Sequence, residues 1–534
     1  MKTVAEIVRW RARQHPEQVA LWHQGHQTTY RELDLRSNRV ANALIRDGLQ
    51  PGQRVCVLDK GHDQMLELMF GIAKAGGVFT PVNWRLAPPE VAFVVEDAAS
   101  PFLFFGEAFA DCVGSIRAQL SSVQGNGGAF GQARSESARY SGDNKFVRWG
   151  KGARGRSYEE FLDGASESDP RRDGGEDDAV WQLYTSGTTG HPKGAELTHR
   201  NLCETIALAV SGFGGIMPGD VGLVCMPLYH IGGSGYALTL LFAGATLIVT
   251  REANPAEILE LIPRHRINHA FLVPALLNFL LQQPACRGTD FASLKAILYG
   301  ASPIPEELLK ASIATFGCQF IQAYGLTETT GAVVLLAARE HVAGSLRLRA
   351  CGLPTFGTEL KIVDEAGNEL APGHVGEIVI KGPAVMKGYW NRPEATAAAI
   401  RDGWFYSGDA GYLDRDGFLY IHDRVKDMIV SGGENIYPAE VESVLFGHPA
   451  VADVAVIGVP DEQWGESVKA IVVRKPGATL QAEELMQFCA GKLGGYKRPR
   501  SVEFVEALPR NPTGKILKRE LREKYWVGKQ RRVN

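Results

Sequence analysis

The sequence lacks the cysteine patterns that mark disulfide or zinc frameworks. Eight cysteines are scattered over 534 residues, with no CxxC and no Cys/His cluster at zinc spacing. Zinc sites usually need closely spaced Cys and His ligands, and disulfide frameworks are typical of extracellular proteins. These cysteines are therefore typical of reduced core residues. We therefore expect neither a disulfide framework nor structural zinc.

Long apolar runs and an excess of one charge are also missing. The best apolar stretch, residues 236–249, has 14 residues, against the roughly 20 needed to span a bilayer. Lys+Arg 57 against Asp+Glu 60 gives a net charge of -3, which argues against wholesale nucleic-acid binding. The start carries no apolar segment typical of a signal peptide. We expect a cytoplasmic enzyme with no nucleic-acid partner and no transmembrane segment.

The order of apolar patterns predicts an α/β fold. Residues 1–110 alternate amphipathic stretches such as 30–47 with short apolar runs such as 54–58, which predicts parallel sheets under helices. Residues 359–380 are β-rich and predict a small β subdomain. A charged connector at 423–427 precedes a second compact α/β pattern. We predict a large N-terminal domain, 1–424, and a small α+β C-terminal domain, 425–534. Residues 125–152, rich in Gly, Ser and Arg, are assigned no role.

Residues 184–194, YTSGTTGHPKG, form the most informative segment. Glycines let backbone N–H groups point inward around an anion, hydroxyls add donors, and Lys193 adds a positive charge. The segment differs from a Walker A loop, because Pro192 separates the last glycines from the lysine. It predicts a polyphosphate site. Its small and hydroxyl residues are Thr185, Ser186, Gly187, Thr188, Thr189 and Gly190.

Two later segments complement this loop. Residues 324–329, YGLTET, combine an aromatic face that can stack on a base with a carboxylate suited to Mg²⁺. Residues 406–409, YSGD, place Asp409 after a tight turn, where its two oxygens can accept both hydroxyls of a ribose. Together the three segments predict a nucleotide site.

In this order the motifs resemble the adenylate-forming superfamily of acyl-CoA synthetases, luciferases and amino-acid-activating domains. The resemblance runs along nearly the whole chain, and residues 426–438 are most similar to bacterial fatty-acyl-CoA ligases. The segments that carry it are 184–194, 227–230, 300–303, 324–328, 406–409, 423–427, 431–435 and 512–515.

The resemblance implies two half-reactions, with ATP, Mg²⁺ and CoA as cofactor and co-substrates. A carboxylate attacks the α-phosphorus of MgATP to give acyl-AMP and pyrophosphate, and the thiol of CoA then displaces AMP. Such phosphoryl chemistry needs positioning and charge neutralisation more than a protein nucleophile. No Ser/His/Asp triad is required.

The resemblance also implies a role for each site residue. Ser186, Thr188 and Lys193 hold the β- and γ-phosphates, Thr327 meets the α-phosphate, and Glu328 anchors Mg²⁺. Lys515 bridges the substrate carboxylate and the α-phosphate. The remaining nucleotide-binding residues are Tyr324 and Gly325, with Gly300, Ala301 and Ser302 beside adenine, and Asp409 and Arg424 at the ribose.

The same resemblance makes the C-terminal domain mobile. Lys426 matches the hinge, about which the small domain rotates between the two half-reactions. The rotation brings in the thioester-step loop of Ser431, Gly432, Gly433 and Glu434, whose glycines permit close approach of the pantetheine arm. His230, Gly232, Gly233 and Val273 are expected to line the acyl pocket.

The substrate stays open among several carboxylic acids. Residues 225–250 contain no Asp, Glu, Lys or Arg, which disfavours an amino acid. A medium- or long-chain fatty acid is favoured over an aryl or hydroxycinnamic acid and over others such as a steroid side chain. Two rival functions are an acyl-AMP ligase that loads a carrier protein and a nucleotide-binding protein that has lost catalysis.

The last 44 residues hold 13 Lys/Arg against 4 Asp/Glu. This basic tail is either a solvated face or an attraction for the phosphates of CoA. Peripheral membrane contact through the tail, and the oligomeric state, a homodimer included, stay open.

Overall fold

The computed structural model describes residues 1–121, 145–150, 156–185, 192–342, 344–424, 427–431, 434–511 and 514–527. Four β-sheets with helices between them confirm the predicted α/β class. The stretch 125–152, to which the sequence assigned no role, lies outside the described residues except for 145–150.

The first sheet has eight strands and is mainly parallel. Its apolar strands are buried on both faces, as parallel sheets covered by helices require. Two antiparallel strands, β8 (Ala179–Thr185) and β9 (Lys193–Thr198), flank the predicted phosphate loop. In spatial order the strands are β19 (Gly388–Tyr389), β9 (Lys193–Thr198), β8 (Ala179–Thr185), β4 (Val78–Pro81), β3 (Arg54–Leu58), β5 (Phe102–Gly106), β6 (Phe146–Trp149) and β7 (Arg156–Ser157).

The second sheet has nine strands, and its centre is parallel. Its central strands are runs of buried apolar residues bounded by turns. In spatial order they are β16 (Leu353–Pro354), β15 (Gly331–Leu336), β14 (Gln319–Leu326), β13 (Ala296–Gly300), β12 (His269–Leu272), β10 (Val221–Val224), β11 (Thr246–Val249), β1 (Val19–His23) and β2 (His26–Thr29).

The helices of this large region pack their apolar faces against the two sheets. The second helix begins at a capping box in which Thr29 and Glu32 exchange hydrogen bonds. Its start lies close to the one that the sequence predicts. The helices are α1 (Ala5–Gln14), α2 (Tyr30–Arg46), α3 (Asp63–Lys74), α4 (Pro88–Asp97), α5 (Ala110–Ile116), α6 (Tyr158–Leu162), α7 (His199–Gly212), α8 (Ile231–Ala243), α9 (Pro255–His265), α10 (Pro274–Gln282) and α11 (Glu306–Phe316).

The apolar stretch at 236–249 divides between α8 and β11, and most of its side chains are buried in the core. In the described part of the chain, none of the helices combines the length and the apolar character needed to cross a membrane.

The predicted small β subdomain is present as a five-stranded antiparallel sheet. Gly367 and Gly373 adopt positive φ in its turns, where a β-carbon would be strained. Its elements are β17 (Glu359–Val363), β18 (Gly376–Lys381), α12 (Pro393–Ala399), β20 (Ile400–Arg401), β21 (Trp404–Leu413) and β22 (Leu419–Arg424).

The fourth sheet lies in the C-terminal part and has its own apolar core. Asn278 of α10 donates a hydrogen bond to the carbonyl of Ala452 across to this part, at 3.4 Å. The division at residue 424 stays a prediction. The elements are β23 (Ile429–Ser431), β24 (Glu434–Ile436), α13 (Pro438–Phe446), β25 (Val451–Asp461), β26 (Gly465–Arg474), α14 (Ala482–Phe488), β27 (Ser501–Phe504) and α15 (Lys518–Glu523).

Candidate active site

The predicted site residues gather at the carboxyl ends of neighbouring parallel strands. β10, β12, β13 and β14 lie side by side in the second sheet. Ligands of open α/β sheets bind at this edge, because the loops that follow the strands meet there. His230 follows β10, Val273 follows β12, and Gly300 ends β13, with residues 301–302 after it. Residues 324–328 end β14 and continue into a 3₁₀ turn, Thr327–Thr329.

The two strands around the phosphate loop hold its ends together. Thr185 at the end of β8 pairs with Lys193 at the start of β9, and the Thr185 hydroxyl donates to the Lys193 carbonyl at 3.5 Å. Ser186, Gly187, Thr188, Thr189 and Gly190, which were predicted to cradle the phosphates, lie outside the described residues.

Tyr389 joins Lys193 to Glu328, which sequence reasoning did not foresee. The Tyr389 hydroxyl donates to Glu328 Oε1 at 2.8 Å, and Lys193 Nζ lies 5.1 Å from the centre of the Tyr389 ring. Tyr389 reaches this place because β19 pairs with β9. A cation and a carboxylate therefore lie at one aromatic ring, and these two charges suit a metal-bound polyphosphate.

The turn that carries Glu328 is fixed by Thr329. Its hydroxyl oxygen accepts the Leu326 N–H, and its single proton faces the carbonyls of Leu326 and Gly331, at 3.1 and 3.0 Å. Thr329 is completely buried, and the neighbouring Thr327 is nearly so. The turn thus presents Glu328 from a rigid support, which preorganises a site for a charged ligand.

Tyr324 and Asp409 are in direct contact. The Tyr324 hydroxyl donates to Asp409 Oδ2 at 3.0 Å. Burial, together with the Asp409 charge, raises the pKa of Tyr324 well above its usual range, so its phenol stays protonated. The Asp409 amide donates to the Ser407 hydroxyl, which donates to the Ile378 carbonyl. Asp409 is also paired with Arg424 in the register of β21 and β22.

The loop after β13 lies tightly against β14. A β-carbon on Gly300 would lie 2.1 Å from the Ala323 carbonyl oxygen, and one on Gly325 would lie 1.7 Å from that of Gly331. Ala301 has a φ of 66°, in the left-handed region that disfavours a residue with a β-carbon. Ser302 follows in the same loop. Only glycine fits at position 300, which explains its place in the predicted adenine loop.

Replacing Gly300 by alanine is expected to lower stability by about 1–3 kcal/mol and to weaken AMP binding, because the added carbon meets backbone that cannot move aside. Gly288→Ala is the matched control, since no heavy atom lies within 4 Å of its added carbon. Thermal unfolding with and without AMP measures both effects. Equal behaviour of the two variants would mean that the close approach does not constrain the loop.

Three of the four predicted acyl-site residues, His230, Gly232 and Gly233, lie at the start of α8. His230 precedes this helix, and loss of solvation lowers its pKa to about 4, so its ring is neutral at pH 7. A β-carbon on Gly232 would lie 2.7 Å from the Phe271 ring, and one on Gly233 would lie 2.2 Å from the Pro227 carbonyl oxygen. Both glycines therefore let α8 pack closely on its neighbours.

Two tyrosines of this region carry hydroxyls without a partner among the described residues. Tyr229 and Tyr236 are buried, and neither hydroxyl makes a hydrogen bond there. The Tyr236 ring lies 6.1 Å from the Phe271 ring. Buried polar groups are nearly always paired, so these hydroxyls are candidates for contact with a polar ligand atom. The sequence showed them only as part of an apolar wall.

The loop that carries Lys515, in the C-terminal part, lies near the predicted acyl-site residue Val273. A β-carbon on Gly514 would lie 3.0 Å from Ala275 Cβ and 3.4 Å from Val273 Cγ2. The next residue, Lys515, is held by its amide, which donates to Asn511 Oδ1 at 2.8 Å. The loop that carries Lys515 therefore lies beside the acyl-site residue Val273.

The predicted hinge and thioester-step residues are described only in part. Ser431 at the end of β23 pairs with Glu434 at the start of β24. Gly432, Gly433 and the hinge residue Lys426 lie outside the described residues. Their roles stay predictions.

Comparison with known proteins identifies two family models along the chain. Residues 8–390 match the model of the AMP-binding enzyme, and residues 440–515 match the AMP-binding enzyme C-terminal domain. The curated fatty acid–[acyl-carrier-protein] ligase ScoC of Streptomyces coeruleorubidus is 40% identical over 538 aligned positions, which cover 100% of this chain and 98% of that protein.

Two further relatives extend the range of activities. A feruloyl-CoA synthase of an Amycolatopsis species is 38% identical over 519 positions, covering 96% of this chain and 97% of its own. The solved fatty acyl CoA synthetase of Mycobacterium tuberculosis is 35% identical, covers 99% of both chains and has a TM-score of 0.74.

Proposed function

Because the chain belongs to the AMP-binding enzyme family, within the adenylate-forming superfamily, we propose that it is an ATP-dependent acyl-CoA ligase. The observation that carries this proposal is that Lys193 and Glu328 both contact Tyr389. Tyr324, at the same end of β14 as Glu328, contacts Asp409. One pair suits a metal-bound polyphosphate and the other suits a nucleoside.

In the first half-reaction a carboxylate oxygen of the acid attacks the α-phosphorus of ATP, and pyrophosphate leaves. Lys193 neutralises the departing phosphates, and Thr327 donates to the α-phosphate. Glu328 would hold Mg²⁺, which offsets phosphate charge when bound. Neutral His230 can donate an N–H to the reacting carboxylate without adding charge. Electrostatic positioning of this kind supplies most of the rate.

In the second half-reaction the sulfur of CoA attacks the acyl carbon. The bond from that carbon to the phosphate oxygen breaks, and AMP leaves with the oxygen. Lys515 is needed only before this step. The position of its loop beside Val273 and Ala275 therefore supports an arrangement suited to adenylation.

The hinge role of Lys426 leads to a prediction. Lys426→Pro fixes a backbone angle and should slow the thioester step about tenfold more than acyl-adenylate formation, because only the former follows the rotation. Lys426→Ala is the control that removes the charge and leaves the backbone free. Separate single-turnover rates for the two steps measure the effect. Unchanged thioester rates in Lys426→Pro would exclude the hinge role.

We favour a medium- or long-chain fatty acid as the substrate. The uncharged wall at 225–250 suits an apolar chain, and two of the relatives named above are described as acting on fatty acids. An aryl acid is the second candidate, because the unpartnered hydroxyls of Tyr229 and Tyr236 could meet ring substituents. The feruloyl-CoA synthase relative supports the same alternative.

A pyrophosphate-release screen with aliphatic and aromatic acids, with and without CoA, tests these proposals. We expect release with fatty acids and acyl-CoA formation in purified protein without any carrier. Release with hydroxycinnamic acids alone would favour the aryl ligase. Adenylate that accumulates despite CoA would favour transfer to a carrier protein. No release with any acid would favour a binding protein without catalysis, against which Lys193, Glu328, Asp409 and Lys515 argue.

A further inference from the structure

A cluster of histidines and one aspartate lies where the two large sheets meet. His23 ends β1 of the nine-stranded sheet, and His62 and Asp63 stand at the start of α3, which follows β3 of the other sheet. One potential ligand atom from each of His23, His62 and Asp63 lies within 4.8 Å of the other two. The cluster shares no residue with the candidate active site.

The hydrogen bonds of His23 prepare its ring for a metal. Nδ1 lies 2.9 Å from the Val249 carbonyl oxygen, to which only a protonated nitrogen can donate. Nε2 is then the nitrogen with a free lone pair. His23 is 4% exposed, and its Nε2 is buried without a partner among the described residues. Metal-ligating histidines commonly donate their other N–H to a backbone carbonyl in this way.

Asp63 supplies the negative charge that a cation site needs. His62 Nδ1 lies 2.6 Å from Asp63 Oδ1, and His26 Nδ1 lies 3.0 Å from Asp63 Oδ2. The nearby Arg251 does not cancel this charge, because it is held by Asp59 through two bonds of 2.8 Å. Trp149 also donates to Asp59. The cluster therefore joins two imidazoles to one carboxylate beside a neutralised arginine.

We propose that His23, His62 and Asp63 bind a zinc ion that clamps β1 to the start of α3. Imidazole and carboxylate are ligands that zinc prefers, and its bonds of about 2.0–2.1 Å put neighbouring tetrahedral ligands about 3.3 Å apart. Zinc binding therefore requires the most distant ligand atoms, now within 4.8 Å, to approach, and His62 Nδ1 and Asp63 Oδ1, now 2.6 Å apart, to separate. His26 then holds the outer carboxylate oxygen, and water takes the fourth position.

The proposed zinc clamp differs from the sequence expectation of no structural zinc, which stays a prediction. That expectation rested on Cys/His spacing, whereas His23 and His62 are 39 positions apart. The approach of β1 to α3 depends on the fold: the Gly61 N–H donates to the Arg251 carbonyl at 3.0 Å, just beyond β11, which pairs with β1. A β-carbon on Gly61 would lie 2.0 Å from the Thr250 carbonyl oxygen.

Zinc and cobalt titrations of the full chain, free of any histidine tag and stripped with chelator, test the proposal. We expect one equivalent of Zn²⁺ bound against a chromogenic chelator, and a Co²⁺ form with tetrahedral visible bands but no thiolate charge-transfer band. His62→Gln and Asp63→Asn should each weaken zinc affinity at least about tenfold. His15→Gln, at an exposed histidine outside the cluster, is the matched control.

Circular dichroism checks that each variant is folded, and the wild-type titration decides the matter should a variant fail to fold. Less than one equivalent in the wild-type protein, a thiolate spectrum, or wild-type affinity in both folded variants would overturn the proposal. None of these readouts depends on ligase activity, so the clamp and the proposed function fail independently.

Discussion

Lys515→Ala is expected to lower acyl-adenylate formation at least about a hundredfold, because on our proposal it removes the cation that neutralises the charge developing on the α-phosphate. The rate of thioester formation from supplied acyl-AMP should change by less than about threefold, since that step follows the departure of Lys515. Acid-dependent pyrophosphate exchange measures the first step, and CoA consumption from synthetic acyl-AMP measures the second.

Lys524→Ala is the matched control for this prediction. Lys524 is an exposed lysine of the same basic tail and is paired with Glu503. Both of its rates should equal those of the wild type. Equal losses in both steps for Lys515→Ala would show that the lysine supports folding or docking of the domain rather than the adenylation step.

Asp409→Ala is expected to weaken AMP binding at least about a hundredfold. Two hydrogen bonds from ribose hydroxyls to a charged carboxylate are lost, each contributing about 1.5–3 kcal/mol, and every 1.4 kcal/mol is about tenfold in Kd. Isothermal titration with AMP measures the change, and the KM for ATP should rise in parallel.

Tyr324→Phe distinguishes a contact of Asp409 with ribose from its hydrogen bond with Tyr324. It keeps the ring that we propose stacks on adenine but removes the hydroxyl that donates to Asp409. We expect a loss of AMP affinity below about tenfold, because the hydrogen bond that is removed lies within the protein and Asp409 stays available to the ribose. Should Tyr324→Phe cost as much as Asp409→Ala, Asp409 would act by positioning Tyr324 and not by binding ribose.

The sequence predicted the parts of the site that lie in continuous segments. Residues 324–328 were recognised because ring, hydroxyl and carboxylate stand within five positions on one strand end. Likewise, the α/β class followed from the alternation of helical and apolar patterns. Local periodicity and turn chemistry are visible in a sequence without knowledge of the fold.

Contacts made by pairing between distant segments could not be predicted. Tyr389 meets Glu328 and Lys193 only because β19 adds to β9 across about 190 positions. The zinc clamp depends in the same way on the approach of two sheets. Gly232 and Gly233 were expected to line a pocket, and the packing of α8 on Phe271 and Pro227 became apparent only in the structure.

The central claim is that the acid is activated by attack on the α-phosphorus of ATP. An acid labelled with ¹⁸O in its carboxylate tests this directly, since one labelled oxygen must stay with the nucleotide when CoA displaces it. We predict one ¹⁸O in each AMP formed, by mass spectrometry. Label in inorganic phosphate together with ADP, or AMP without label, would contradict the account.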